Sequence, residues 1–399
     1  MQIWETKEIS ELGEVVGGAT PSTAVDEYYN GSIPWITPKD MSAIQGRFIM
    51  RGERNITKSG LDSCSTRLMP RGSVLFTSRA PIGYIGISQT ALCTNQGFKS
   101  IIPNERTDSM FLYYLLKYSK DNIEATASGT TFKEVSGRTM RQIKVRVPKE
   151  ISVQRSIAAT LSCLDDKIEL NNRIIANLEA QAQAIFKSWF VDFEPWAGTR
   201  PASWKDGCVG DMANAIYSGG TPDTRKPEYW GGDIPWLSSG ETRNHFVTAT
   251  EKSITKAGVD QSSTRLAKRY SVVMASAGQG YTRGQTSLLL IDTYVNQSIV
   301  VIESSASAVY IYLSLSGRYE ELRGISDSSS IRGSITTKMI SSFPLTVPDK
   351  PIIEEFSSLI MPLFNLIENC LYEIQNLART RDSLLPKLMS GEIEVPVEG

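Results

Sequence analysis

The sequence predicts an α+β protein made twice over: two globular α+β domains separated by an antiparallel two-helix coiled coil, the product of an internal duplication with pseudo-two-fold symmetry. Three observations carry this. Short phrases recur in the same order roughly 200 positions apart. Within each copy, β-branched runs alternate with Gly, Ser and Asn, which reads as short strands and turns. Behind each copy lies a long stretch whose apolar residues fall at alternating spacings of three and four. The expected boundaries are 1–150 for the first domain, 151–195 for the first helix, 200–348 for the second domain and 350–393 for the second helix.

The repeated phrases come first along the chain. Gly17-Gly18-Ala19-Thr20-Pro21 returns as Gly219-Gly220-Thr221-Pro222, and Gly31-Ser32-Ile33-Pro34-Trp35 as Gly232-Asp233-Ile234-Pro235-Trp236. Ile56-Thr57-Lys58-Ser59-Gly60 matches Ile254-Thr255-Lys256-Ala257-Gly258, Ser65-Thr66-Arg67-Leu68 matches Ser263-Thr264-Arg265-Leu266, and Asn95-Gln96 matches Asn296-Gln297. Runs such as Ser73-Val74-Leu75-Phe76 and Ser271-Val272-Val273-Met274 predict strands. The stretches 109–120 and 306–316 predict a helix in each domain.

The helical stretches follow. From Val153 to Phe190 there is neither Gly nor Pro, and Leu161, Leu164, Ile168, Asn171, Ile175, Leu178, Ala182, Ile185 and Trp189 mark a heptad seam. Ile360, Leu363, Ile367, Cys370, Ile374, Leu377, Leu384 and Leu388 repeat it, with Arg381 in the slot matching Ala182. The first helix runs from domain one to domain two. The second starts at domain two with no third domain to reach, so it is expected to fold back antiparallel, the 38 residues giving a rod of about 57 Å. Asn171 on the seam either sets the register or meets water.

Composition narrows the function. No apolar run is long enough to span a membrane and the first residues are too polar for a signal peptide, so a cytoplasmic protein is expected. Five scattered cysteines without C-x-x-C suggest reduced thiols rather than disulfides or zinc. The net charge is −1, but mildly basic blocks (1–150 and 200–348) alternate with acidic ones (151–199 and 349–399). His245 is the only histidine, which rules out a multi-histidine metal site and favours a surface or structural role for it. Phosphate loops, dinucleotide fingerprints and the Asn/Asp-Pro-Pro-aromatic element of adenine methyltransferases are all missing. Asp165-Asp166-Lys167 has the residue types of a nuclease site but lies on the helix, where a solvated charged face accounts for it better. A non-catalytic chain, binding no metal or cofactor itself, is expected.

What remains is a binding surface. The globular blocks place Arg, Lys, amides and hydroxyls beside Gly and aromatics, the side chains that bond base edges and phosphates. In the first copy the candidates are Lys58, Ser78, Arg79, Asn95, Gln96, Lys99, Thr130 and Lys133; in the second, Lys256, Gln279, Arg283, Asn296, Gln297 and Arg332. A reader of two different half-sites keeps its scaffold and varies its loops. Pro34-Trp35 and Pro235-Trp236 persist, whereas Ser78-Arg79-Ala80-Pro81 faces Ser276-Ala277-Gly278-Gln279, and 40–51 differs from 241–250. Trp35 and Trp236 read as anchors rather than base-stacking groups.

Order and phrases together resemble the specificity subunits of type I restriction-modification enzymes over nearly the whole chain. The Gly-Gly-x-Thr-Pro opening, Ile-Pro-Trp, Ile-Thr-Lys-x-Gly, Asn95-Gln96-Gly97-Phe98, the Val147-Pro148 and Val347-Pro348 steps, and the run from Ser383 to Gly391 carry the resemblance. It implies two target recognition domains that read a bipartite double-stranded DNA target. It further implies two methyltransferase subunits docked on the helical spacer and motor-nuclease subunits added to them. S-adenosylmethionine, ATP and Mg would belong to those partners. The residues expected to form the spacer and docking surface are Leu164, Ile168, Asn171, Ile175, Leu178, Ile185, Ile367, Cys370, Ile374, Leu377 and Leu384. A free-standing DNA-binding regulator and a two-domain scaffold that binds no DNA are the alternatives.

Overall fold

The computed structural model describes all residues except 1, 45, 80, 130–132, 279, 280, 306, 328–332 and 397–399. The chain divides into two compact units, one made of Met1–Leu170 with Ile374–Gly399, the other of Asn171–Glu373. Each unit holds one α+β domain and half of each of two long helices, Ile151–Phe190 and Lys350–Ser390.

In the first unit a five-stranded sheet runs in the order Gly13–Gly17, Lys99–Pro103, Val74–Ser78, Ile82–Ser88, Phe48–Ile49. All its pairings are antiparallel except the last, which is parallel. A smaller sheet sets Tyr29–Ile36 between Arg54–Ile56 and Cys93–Thr94. The second unit repeats both: Ala215–Ser218, Ile299–Glu303, Val272–Ala275, Thr286–Leu289, Phe246–Val247, and Trp230–Leu237 between Lys252–Ile254 and Thr293–Val295, with Arg265–Ala267 added at the edge. The first and last strands of each domain pair with one another. Trp4–Glu8 pairs with Lys144–Pro148, and Lys205–Cys208 with Pro344–Val347, immediately before each long helix begins. The expected helices are present but differently bounded. The first spans Ser109–Ala125, while in the second copy Ala308–Ser316 is followed by another helix, Tyr319–Asp327; Ala306 lies outside the described residues.

The repeated phrases turn out to be structural devices, present in both copies. Thr57 and Thr255 cap short helices by accepting from Gly60 N–H (3.1 Å) and Gly258 N–H (3.2 Å), while donating to the carbonyls of Glu27 and Glu228. A side chain on Gly60 would collide with the Tyr28 carbonyl, and one on Gly258 with that of Tyr229. Trp35 and Trp236 are buried and donate Nε1–H to the carbonyls of Ala19 (3.0 Å) and Gly220 (3.3 Å), an anchoring role for both. Even the divergent 40–51 and 241–250 segments share one device. Asp40 accepts from the Thr37 and Glu53 N–H groups, and Glu241 from those of Ser238 and Glu251.

The helix halves run antiparallel within each unit. In the first, Leu161 shares a core with Leu385 and Leu388, and Asp165 bonds Arg381; in the second, Asn171 Nδ2 donates to Glu373 (2.7 Å) and the Phe190 ring lies 4.8 Å from that of Phe356. The seam is less regular than a strict three-four repeat. Ile175, Leu178, Ile367 and Cys370 are buried, whereas Leu164, Ile168, Ile185, Ile374, Leu377 and Leu384 are half-buried. Polar groups lie inside it. Asn171 is 1% exposed and bonded to the facing helix, so it does not meet water.

Asp165 corrects the expectation of a solvated charged face: it is buried, accepts from Tyr114 Oη–H (2.6 Å) and from Arg381 Nη1–H (2.7 Å), and its neighbour Asp166 pairs with Arg47. Arg47 also bonds Glu169 (3.0 Å). Burial opposes the charge of this guanidinium, but Asp166 and Glu169 more than compensate and hold its pKa above the usual arginine value. A helix carrying three acids is thus tied to its domain by Arg47 and to the other long helix by Arg381. In the second copy the Asp165–Arg381 pair is replaced by apolar residues while the tyrosine is kept. Phe364 stands for Asp165, Ala182 for Arg381, and Tyr312 for Tyr114, with the Phe246 ring 5.6 Å from Phe364 and 5.7 Å from Tyr312.

Candidate nucleic-acid interface

In the first unit three loops converge at the tip of the hairpin Val74–Ser78/Ile82–Ser88. Ser78 N–H donates to the Gly97 carbonyl (2.8 Å), Val135 N–H donates to the Ser78 carbonyl (3.0 Å), and Ser128 and Glu134 exchange a reciprocal pair of backbone bonds (3.1 and 2.9 Å). This brings Arg79, Asn95, Gln96, Lys99 and Lys133 into one neighbourhood. Glu134 organises the cations, its carboxylate 3.1 Å from Lys99 Nζ and 3.9 Å from Arg79. Gln96 and Lys133 are exposed, and Arg79 and Lys99 half-buried. Ser78 is a correction: fully buried, with its hydroxyl donating to Gly97 O (3.2 Å), it holds the loops together and does not face outward.

The turn beneath the cluster is built by its own motif. Asn95 Oδ1 accepts from Gly97 N–H (2.9 Å), an Asx turn, and Thr20 donates to Gln96. The second copy does the same with Asn296 and Ser298 N–H (3.0 Å), and with Thr221 and Gln297. Asn296 is 9% exposed, which leaves it little surface beyond that turn.

In the second unit Ser276 N–H reaches Ser298 O (2.8 Å) and Ile335 N–H reaches Ser276 O (2.8 Å), the same frame. Its contents differ. Arg283 Nη1 donates to Gly333 O (2.6 Å), Tyr319 Oη donates to the carbonyl of the exposed Tyr281 (2.9 Å), and the Arg323 guanidinium lies 5.6 Å from the Tyr281 ring centre. Tyr281, Tyr319 and Arg323 escaped the sequence reading; the signal available was the Tyr and Arg set among glycines at 278–284. Thr130, Gln279 and Arg332 lie outside the described residues. Lys58 and Lys256 are elsewhere, on the capped helices flanking the smaller sheets, paired with Asp62 (2.7 Å) and Asp260 (2.6 Å).

The varied segment 40–51 behaves differently from the loops at the hairpin tip, since Arg47 is turned to the long helix. Its counterpart in the second copy is His245, whose Nδ1 lies 2.7 Å from Glu179 on the same long helix. That hydrogen bond outweighs partial burial and raises the imidazole pKa. His245 therefore serves as a docking residue.

A model of the type I restriction modification DNA specificity domain matches residues 1–180 and again 201–376. The chain belongs to that family. It is 33% identical to the MjaIX type I restriction enzyme specificity subunit of Methanocaldococcus jannaschii, over 98% of this chain and 94% of that one. It is 23% identical to the HindI specificity subunit of Haemophilus influenzae, over 74% and 80% respectively. Among solved structures, the S subunit of a type I restriction-modification system from M. genitalium superposes with a TM-score of 0.62 at 16% identity, covering 100% of this chain and 97% of that one. This likeness supports the fold: two α+β domains with long helices, in a type I specificity subunit. Among the described residues no helix is long and apolar enough to cross a membrane.

Proposed function

We propose that this specificity subunit reads a bipartite double-stranded DNA target, one half per recognition domain (1–150 and 200–348), with the helical segments setting the unread gap. The observation that carries the reading is the contrast between copies. Two backbone bonds of the frame recur, Ser276 with Ser298 and Ile335 with Ser276 matching Ser78 with Gly97 and Val135 with Ser78, while the side chains around it differ: Arg79, Lys99 and Glu134 in one, Arg283, Tyr281, Tyr319 and Arg323 in the other. A frame kept constant with contents varied suits two half-sites of different sequence, because base edges are read by side chains and position is held by backbone and phosphate contacts.

In this reading the chain performs no chemistry. Two methyltransferase subunits dock on the long helices and supply S-adenosylmethionine chemistry, motor-nuclease subunits supply ATP- and Mg-dependent cleavage, and the assembly works in the cytoplasm. Partner subunits closing around the duplex add the phosphate contacts that a chain of net charge −1 lacks. The test is co-expression with the methyltransferase subunit followed by genome-wide mapping of methylated adenines. A two-part motif with a fixed gap, lost when this chain is omitted, supports the proposal. An uninterrupted motif, or none, favours a lone regulator or a scaffold.

A further inference from the structure

The second unit has a cleft of about 510 Å³ where its domain meets the first long helix, walled by Phe246, Tyr312 and Phe364. Its origin is visible in the duplication. In the first unit the corresponding helix position carries Arg381, whose guanidinium lies against Asp165; in the second it carries Ala182, a methyl group, and the space is open. The cleft keeps hydrogen-bond acceptors. Glu179, one turn from Ala182, gives Oε1 to His245, and its Oε2 has no partner among the described residues. Gln285 Oε1 is buried with no partner either. An unsatisfied buried acceptor is costly, so a donor is wanted there.

We propose that this cleft receives an arginine side chain from a partner protein, seated beside Ala182 with Glu179 supplying the carboxylate that Asp165 supplies to Arg381 in the first unit. The chemistry fits that side chain. A guanidinium has five donors in a planar fork and stacks on aromatic faces, and its methylene stem is apolar. It would lie against the Phe246, Tyr312 and Phe364 rings and donate to Glu179 Oε2 and Gln285 Oε1. Arg243, the other cation on the cleft wall, is itself paired with Glu251 (2.5 Å). A lysine ammonium is compact and strongly hydrated, so it would lose more on entry and stack less well.

The chain's single histidine makes the test direct, because His245 lines the cleft and gives one imidazole signal. Full-length protein labelled with ¹³C-histidine is titrated at pH 8 with N-acetyl-arginine methylamide and, separately, with the lysine analogue. The expected result is a saturable shift of the His245 signal with the arginine compound and binding weaker by about fivefold or more with lysine. Ala182→Arg, which writes the first unit's side chain into the second, should abolish the shift, and Gln285→Leu should weaken binding about fivefold. A shift that rises linearly without saturating, that is equal for lysine, or that survives both substitutions overturns the proposal. No nucleic acid or partner subunit enters the experiment, so its outcome is independent of the DNA reading.

Discussion

Arg381 on the second long helix donates to Asp165 on the first at 2.7 Å, both side chains largely buried, and the two corresponding positions of the second copy are Ala182 and Phe364. One duplicated joint has thus been solved once with charge and once with aromatic packing. The charged solution also engages Tyr114, whose hydroxyl donates to the same carboxylate.

Breaking that pair by one residue leaves a buried charge behind. Arg381→Ala or Asp165→Ala should therefore destabilise the first unit by about 3 kcal/mol, read as a lower midpoint in urea denaturation. The double change Asp165→Phe with Arg381→Ala copies the second unit's solution and should recover most of the loss. Equal losses in the single and double variants would contradict the pairing.

His245 gives a pH signature. Its pKa is raised in the folded protein by Glu179, so the pair's stabilisation is fully present below the unfolded value of about 6.5 and fades as pH climbs through the folded value. The stability difference between the native chain and His245→Gln should therefore be larger at pH 6 than at pH 9. Glu179→Gln should move the imidazole titration, followed by NMR, to lower pH. A titration unmoved by Glu179→Gln would contradict the assignment.

Thr57 holds the first turn of its short helix while bonding the Glu27 carbonyl, so Thr57→Ala should cost about 1–2 kcal/mol. Thr255→Ala should cost a similar amount, since the second copy repeats both bonds. Chemical denaturation of the two variants is the check.

The helices were readable from sequence because apolar residues at alternating three-four spacing line up as one stripe on a helix and scatter over both faces of a strand; the first stretch also lacks Gly and Pro. The duplication was readable because both copies keep residues that build the backbone: Thr57 and Thr255 as caps, Trp35 and Trp236 as anchors, Asn95 and Asn296 as turn formers. The charged joint was hidden. Asp165 and Asp166 on a helix look like a solvated face until Arg381 and Arg47 are brought to them from 216 and 119 positions away, and local pattern holds no trace of such pairings. The candidate interface was legible by residue type only. Polar side chains in Gly-rich loops announce contact chemistry, but the burial of Ser78 and the placing of Glu134 between Arg79 and Lys99 depend on three loops meeting at one hairpin tip.

At the two tips the proposal separates the half-sites. Arg79→Ala should weaken discrimination in one half of the target and Arg283→Ala in the other, each by about tenfold if the guanidinium pairs with a guanine. Methylation rates on targets varied one half at a time provide the measurement.

The most direct test of bipartite reading exchanges residues 1–150 for the corresponding domain of another specificity subunit and maps the methylated motif of the hybrid in the assembled enzyme. A new first half, an unchanged second half and the same gap are the expected result. A change in both halves, or in neither, would contradict the assignment of one half-site to each domain.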